Sequence, residues 1–159
     1  MNKDNINLLL QDLSSRIPYG VKVSVNQSEL QNYDYKWKNW SFDEEPQEID
    51  GVSIYGVTFG CMDMSDGVIG FEYIKPYLFP LSSMTEEQRE EISKRYNYHN
   101  PYELCVEITN HCEGYWDTDN SCNLQDYLWL KDWFDKNHFD YRGLIPMGLA
   151  NDATGLNIY

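Results

Sequence analysis

The first 25 residues show two different hydrophobic periods. Five apolar residues follow the three- and four-residue spacing of one helical face: Ile6, Leu9, Leu10, Leu13 and Ile17. Asp4 or Asn5 can cap this helix, and Pro18 and Gly20 end it. The residues that follow alternate with polar ones in the period of a half-buried strand: Val21, Val23 and Val25. The pattern predicts a leading helix followed directly by a strand.

Further alternations predict the middle of a sheet. Tyr33, Tyr35 and Trp37 alternate with polar residues and indicate a second strand. From position 52 onward the apolar face changes parity at Gly56, which predicts a β-bulge there. Asp66-Gly67 is a tight-turn signal, so residues 52–74 are expected to form a hairpin. Pro76 and Pro80 should then take the chain out of the sheet, because proline cannot donate a ladder hydrogen bond.

The second half of the chain predicts two helices and one more strand. Ser83 with Glu86, and Thr85 with Gln88, form overlapping capping-box patterns at the start of the first helix. Residues 104–108 alternate as a strand, and the last long helix is expected near residues 123–137. We therefore predict a single α+β domain spanning residues 1–159. It has an N-terminal helix, a twisted antiparallel sheet of about five strands that could curl into a partial SH3-like barrel, and two further helices packed on it.

The last helix carries apolar residues on two opposite sides. A rotation of about 100° per residue places one group on a single face: Leu124, Tyr127, Leu128 and Phe134. Trp129 and Trp133 lie on nearly the opposite face and are four residues apart, so they would form an aromatic ridge. One interpretation is that a loop such as residues 27–41, or the tail after Ile145, folds over this ridge. The other is that Trp129 and Trp133 contact a second copy or another protein, since tryptophan is enriched at binding hot spots.

Composition and charge narrow the class of protein. Of the 159 residues, 42% are hydrophobic, which is enough to build a packed core. The apolar runs are only a few residues long, and the start of the chain lacks the pattern of a secretion signal, so we expect a cytoplasmic protein that does not enter a membrane. The formal net charge of -14 would repel nucleic acid. Such acidity promotes solubility, but it could also attract a basic partner or imitate the phosphates of DNA.

The sequence contains none of the local motifs of common enzymes. It has no nucleophile elbow, no zinc-protease helix motif, no phosphate-binding glycine loop and no dinucleotide fingerprint. Asp117, Asp119 and Ser121 resemble the start of a calcium loop, but Cys122 and Leu128 occupy the positions that need glycine and glutamate. We therefore predict no catalytic, cofactor-binding or metal-binding residue. Paired carboxylates leave no local signature, so a small enzyme that uses carboxylates or His138 stays an alternative.

A polar cluster is predicted close to the end of the sequence. His138, Asp140 and Arg142 alternate with Phe139 and Tyr141, so an extended segment would bury the two aromatics and present three polar groups together. These groups could bind a ligand. The interpretation that we favour is a structural lock in which a carboxylate holds Arg142 and Asp140 caps a turn.

Two stretches of the chain carry a resemblance. They are residues 74–87, which begin with Ile74-Lys75-Pro76-Tyr77-Leu78, and residues 138–150, which begin with His138-Phe139-Asp140-Tyr141-Arg142-Gly143. The Pro18-Tyr19-Gly20 turn belongs to the same pattern. This combination resembles a group of short uncharacterised bacterial proteins that are associated with prophages or mobile elements. The resemblance covers both ends and the middle of the chain and implies no activity. Phe79 stands where the group would be expected to have a basic residue, which weakens any anion-binding role there.

These observations lead to one functional expectation and two alternatives. We expect a non-enzymatic protein-interaction or regulatory module, encoded on a mobile element, that binds an unknown protein partner or a second copy of itself. The alternatives are the small enzyme described above and an acidic inhibitor that mimics DNA. An exposed aromatic patch would favour the module, whereas a deep pocket with converging polar groups would favour the enzyme.

The four cysteines are predicted to be reduced and free of metal. Cys61, Cys105, Cys112 and Cys122 lack the close C-x2-C pairing of structural zinc sites, and only adjacent His111 brings a second ligand type near one of them. A cytoplasmic protein also keeps its thiols reduced. Elemental analysis of protein purified without a chelator should find no zinc, and stoichiometric zinc would contradict the prediction.

Overall fold

The computed structural model describes residues 1–33, 37, 41–42, 46–60, 67–96 and 124–159. Four helices are described: α1 (Lys3–Arg16), α2 (Gln27–Tyr33), α3 (Glu86–Tyr96) and α4 (Leu124–Lys136). Six strands are described: β1 (Lys22–Val25), β2 (Gln47–Glu48), β3 (Gly51–Ser53), β4 (Gly56–Thr58), β5 (Ile74–Leu78) and β6 (Asn151–Asp152). Single turns of 3-10 helix lie at Ile17–Tyr19, Phe71–Tyr73 and Leu81–Ser83.

Helix α1 forms where the sequence predicts it and begins at a different cap. The side chain of Asn2 accepts the backbone N–H of Asn5 at 2.8 Å, so Asn2 caps the helix in place of Asp4 or Asn5. Leu9 and Leu13 are completely buried against the sheet. The helix therefore supplies one wall of the main hydrophobic core.

The strands form a mixed sheet, and the α+β class with a leading helix is confirmed. The four-stranded sheet has the order β2-β1-β5-β6, and β3 pairs with β4 separately. The expected all-antiparallel arrangement is wrong, because β6 pairs with β5 in parallel. Strand β6 enters the sheet after the long connection through α3 and α4, which allows it to run in the same direction as β5. The described sheet is open, with β2 and β6 at its edges; the predicted strand at 104–108 lies outside the described residues.

Pro76 lies inside strand β5, where the sequence predicted an exit from the sheet. It is opposite Val23 of β1. Asn26 N–H donates to the Tyr73 carbonyl at 2.7 Å. Because hydrogen-bonded and non-hydrogen-bonded pairs alternate in antiparallel strands, the Val23–Pro76 pair is a non-hydrogen-bonded one. The nitrogen of Pro76 thus faces away from β1, and β6 begins only opposite Tyr77, so the ring costs no ladder bond.

The strand predicted at Tyr33, Tyr35 and Trp37 is also wrong in its described part, because Tyr33 is the last residue of helix α2. Asn26 starts this helix by accepting the backbone N–H of Glu29 on its side chain at 3.4 Å. Leu30 is buried in the core, and so is Trp37. Tyr35 lies outside the described residues.

Gly56 begins β4 immediately after a two-residue turn, and the predicted bulge is wrong. Strands β3 and β4 pair through Ser53 and Gly56, so the change of parity marks a tight hairpin. Gly56 has φ of +146°, a conformation that side chains rarely adopt. Ile69 follows as the third element of this unit, with hydrogen bonds of 2.9 Å in both directions to Val57. The predicted Asp66-Gly67 turn involves residue 66, which lies outside the described residues.

Helices α3 and α4 pack around a second, smaller core. Of the two predicted capping boxes, the one between Thr85 and Gln88 forms, with Thr85 N–H donating to Gln88 at 2.9 Å and Gln88 N–H to Thr85 at 3.3 Å. The Ser83 hydroxyl instead donates to the Pro80 carbonyl at 2.8 Å. The core between the helices is formed by Met84, Ile92, Leu130, Trp133, Phe134 and Phe139. None of the described helices has both the length and the apolar composition that crossing a membrane requires.

Gly56→Ala is expected to lower the free energy of unfolding by about 2 kcal/mol or more. A Cβ atom at this position would overlap the backbone carbonyl of Ile69, and φ of +146° would add strain. Gly60→Ala is the matched control, because its Cβ would lie 3.6 Å from Asp50 in ordinary contact. Urea denaturation measures both variants. Equal stability of the two would contradict this account of the hairpin.

Candidate functional site

Five charged side chains meet between α1, α4 and the loop that follows α4. They form what we call the buried charge cluster: Asp12, Arg16, Lys131, Asp135 and Arg142. Asp12 and Arg16 have no exposed surface, and Asp135 is also buried. Charged side chains are rarely buried this completely unless they are paired. Each buried charge therefore needs a partner of opposite sign.

Arg16 is the centre of this cluster. Its Nε donates to one oxygen of Asp12 at 2.9 Å and its Nη2 donates to the other oxygen at 3.0 Å. This is the two-point geometry that suits a guanidinium and a carboxylate, and the pair is four residues apart on α1. Helix geometry therefore brings the two groups together without a long-range contact.

Two further N–H donors of Arg16 bind carbonyls at the end of helix α4 and just beyond it. Nη1 donates to the carbonyl of Phe134 at 3.3 Å, and Nη2 donates to the carbonyl of Phe139 at 2.8 Å. Phe139 N–H also returns to the Phe134 carbonyl at 3.0 Å, and His138 N–H donates to the Asp135 carbonyl at 3.2 Å. These two backbone bonds are those of a Schellman cap, with His138 in the left-handed position at φ of 56°. Arg16 thus binds the carbonyls at the negative end of the helix.

Outer members of the cluster balance its charge. Arg142 Nε lies 3.3 Å from Asp12, and Lys131 donates to Asp135 at 2.6 Å. With Asp140 nearby, three carboxylates stand against three cations. Burial alone would lower the pKa of Arg16, but the ion pairs with Asp12 and Asp135 outweigh it and raise the pKa above the usual value. Arg16 is therefore charged at every pH at which the protein is folded.

The three residues of the predicted polar cluster take different partners. Arg142 pairs with Asp12, and the carboxylate of Asp140 accepts the backbone N–H groups of Leu144 and Ile145 at 2.8 and 2.7 Å. These contacts are those of the structural lock favoured from the sequence. Burial raises the pKa of Asp140, although the two N–H bonds oppose it. The segment turns at these residues instead of remaining extended, because Asp140 caps the turn that follows.

His138 is turned away from both of these side chains. It is buried, and its ring stacks on that of Tyr159 with centroids 3.7 Å apart and 10° between the planes. Burial, with help from the charge of Arg16, lowers the pKa of His138 to about 4. Its Nδ1 is buried and has no hydrogen-bond partner among the described residues. The imidazole is therefore neutral near pH 7.

Trp129 and Trp133 do not form an exposed ridge. Trp133 is only 6% exposed and stacks on Phe139 at 5.7 Å, so it belongs to the smaller core and is not available to a partner. Trp129 is half-buried, and the guanidinium of Arg95 from α3 lies 4.6 Å from its ring. The helix turns these aromatics toward α3, while Leu128 on its other side is 52% exposed. Trp133 is therefore covered within the chain, and Trp129 is covered only in part.

Metal binding has no support among the described residues. In that part of the chain, no group of three or more His, Cys, Asp or Glu side chains could hold a metal ion. All four cysteines, His99 and His111 lie outside the described residues. The structure therefore adds no metal site and does not test the cysteine prediction.

A surface that sequence reasoning missed lies at the tip of the β3–β4 hairpin. Ile54 and Tyr55, the two turn residues, are 67% and 74% exposed. The signal was present, because two large apolar residues directly before Gly56 are unusual in a tight turn, where small polar residues prevail. Single exposed apolar residues are common, but two neighbours at the end of a hairpin form a small protruding patch.

Comparison of the chain with protein-family models, with curated proteins and with solved structures found no match. The site must therefore be interpreted from its own geometry. The buried charge cluster holds α1, α4 and the loop 138–145 together. The hairpin tip, by contrast, is apolar and exposed.

Asp12→Asn should lower the free energy of unfolding by about 3 kcal/mol or more, because it leaves the buried Arg16 without the carboxylate that it shares with Arg142. The control is Lys94→Ala, which breaks an ion pair with Glu90 of the same four-residue spacing on the surface. That variant should unfold close to the wild type, because exposed pairs contribute little. Denaturation curves of both proteins make the comparison. Similar small losses would show that the cluster does not hold the fold.

Proposed function

We propose that this chain is a non-enzymatic protein-interaction module whose contact element is the tip of the β3–β4 hairpin. The observation that carries the proposal is the exposure of Ile54 and Tyr55, at 67% and 74%. Tyrosine is enriched at binding hot spots, since it buries a large area at a low cost in conformational entropy. A partner with a small apolar pocket would cover both side chains.

The hairpin presents these residues on a fixed platform. The hydroxyl of Ser53 accepts the N–H of Tyr55 and donates to the carbonyl of Gly56, each at 3.2 Å. Val57 at the base is completely buried and is bonded in both directions to Ile69. Ordering the backbone of the tip would therefore cost a partner little free energy, which favours binding.

The charged residues of the cluster are unsuited to the enzymatic alternative. Catalytic acids and bases need to reach a substrate, whereas Asp12, Arg16 and Asp135 are buried and paired with one another. A groove of about 220 Å³ lies beside β1 and β5. This is below the usual 300–1,000 Å³, roughly, of a ligand pocket. Its Ser24 hydroxyl accepts from Asn151 and donates to the Lys75 carbonyl, so no base activates it there.

A DNA mimic would need a partner with a basic surface instead of an apolar pocket. It would rest on the net charge of -14, part of which stands on the exposed acids of α3, such as Glu86, Glu87 and Glu90. Contacts between exposed charges weaken as salt screens them, but contacts through Ile54 and Tyr55 do not. Salt dependence therefore separates the two kinds of binding.

The double variant Ile54→Ser/Tyr55→Ser is expected to lose the specific partner of the wild type, with affinity falling at least tenfold. Leu128→Ser/Met147→Ser is the matched control, because these residues are 52% and 50% exposed and lie outside the hairpin. The wild-type protein is first used to capture partners from the host at low and at high salt. The captured protein is then titrated against the wild type, the tip variant and the control variant. Light scattering of the purified protein tests a second copy as the partner.

Three results would contradict the proposal. The first is a partner that binds the tip variant as tightly as the wild type. The second is a loss of binding that is the same in the control variant. The third is a partner that is released by high salt and binds without contacting the tip, which would favour the acidic mimic.

A further inference from the structure

Segment 153–159 is held against the sheet mainly at its two ends. Ala153 N–H donates to the Leu78 carbonyl at 2.8 Å, next to strand β6. Residues 154–157 are exposed. Contact is restored at Ile158, whose carbonyl accepts Lys22 Nζ at 2.7 Å, and at Tyr159. Few buried contacts support the middle of the segment, so its docking depends on the far anchor.

Tyr159 makes that anchor through its hydroxyl group and its ring. The hydroxyl accepts the backbone N–H of Lys22 at 3.1 Å and donates to the Tyr77 carbonyl at 2.8 Å, so it bridges β1 and β5. Its ring covers His138 at 3.7 Å and lies 5.9 Å from the ring of Phe79. The imidazole is therefore the wall against which one face of the phenol packs, while Tyr159 stays 41% exposed.

His138 can form this wall only while it is neutral. Its ring is buried, and its Nδ1 has no described acceptor to which an added proton could be donated. Two cations face it, Arg16 from α1 and Lys22 from β1, against one carboxylate, Asp135 from α4. The Tyr19 backbone and Tyr159 are the other groups in contact with it. A second positive charge on the ring would be both desolvated and repelled.

We propose that segment 153–159 is an acid-released latch, in which protonation of His138 undocks Tyr159 from β1 and β5 while the remainder of the fold stays intact. The neutral imidazole stabilises the docked state, and undocking lets the protonated imidazole reach water. The proposed latch does not involve the hairpin tip and does not rest on the function proposed for that tip.

The pH window follows from the two states of the imidazole. When exposed, histidine has a pKa of about 6.5. When docked, His138 has a pKa of about 4. Above pH 6.5 both states are neutral and docking is complete; as the pH falls between these values the undocked state binds the extra proton. The docking equilibrium then weakens by up to about tenfold per pH unit, or roughly a hundredfold in all.

The test is amide NMR of the full chain between pH 7.5 and 4.5. Heteronuclear NOE values of Asn157, Ile158 and Tyr159 should fall with decreasing pH, while those of core residues such as Val23 stay constant. The ring nitrogens of His138 should titrate at the same midpoint. Burial also raises the pKa of Asp140, two residues away, so the variant that decides is His138→Phe, which keeps an aromatic wall and Asp140 but removes the proton site.

His138→Phe is expected to keep the segment ordered across the whole range, and Tyr159→Ala should free it at every pH. Order that persists in the wild type down to pH 4.5 would overturn the proposal. A pH transition in His138→Phe equal to that of the wild type would overturn it as well. If His138→Phe does not fold, the NMR titration of the wild type remains a test. Protonation of His138 without any change in order at residues 157–159 would also overturn the proposal.

Discussion

A guanidinium group without access to water must have its charge neutralised and its N–H donors accepted by the protein itself. Arg16 imposes this constraint, since it is completely buried. Asp12 accepts two of its donors from within the same helix, and the carbonyls of Phe134 and Phe139 accept two more. These carbonyls belong to residues 118 and 123 positions away along the chain, so one side chain fixes how α1 meets the end of α4.

Several local features follow from that constraint. The cap of α4 must present its carbonyls to Arg16, which places His138 in the left-handed position. Phe139 then enters the smaller core, and Arg142 returns to Asp12 from the next turn. His138 is left facing the other way, against Tyr159. The same arrangement of residues thus pairs the buried charges and places the ring of His138 against Tyr159.

The division between interior and surface also bears on function. The buried charge cluster serves cohesion, because its members are paired and Asp12, Arg16 and Asp135 are buried out of reach of a substrate. The apolar tip at Ile54 and Tyr55 contributes nothing to the core and is held rigidly by the Ser53 bonds. An apolar patch that is exposed to water, and that the core does not need, is a candidate binding surface.

The sequence predicts the periodic elements well and the exceptional positions poorly. Helix α1, strand β1, the capping box of α3 and helix α4 follow from hydrophobic spacing and caps, which are local. Pro76 was misjudged because its tolerance depends on which side of β5 its nitrogen faces. Gly56 was recognised as special, but whether it makes a bulge or a hairpin depends on pairing with Ser53. Both outcomes are decided by neighbouring strands.

The buried cluster could have been recognised in part. Asp12 and Arg16 occupy the same helical stripe as Leu9 and Leu13, and two opposite charges in an apolar stripe predict a buried pair. Their partners on α4 could not be predicted, since no local pattern links positions 16 and 139. The polar residues of the loop were identified, with a lock as the favoured interpretation. The covering of Trp129 by Arg95 depends on how α3 packs, which spacing alone does not specify.

Arg16 is thus an immobile, solvent-excluded centre of the fold, and NMR of its guanidinium near neutral pH measures this property. The two Nη groups should give separate signals, and their N–H protons should exchange with water only when the whole protein unfolds. An averaged Nη signal with exchange as fast as that of a solvated arginine would contradict it.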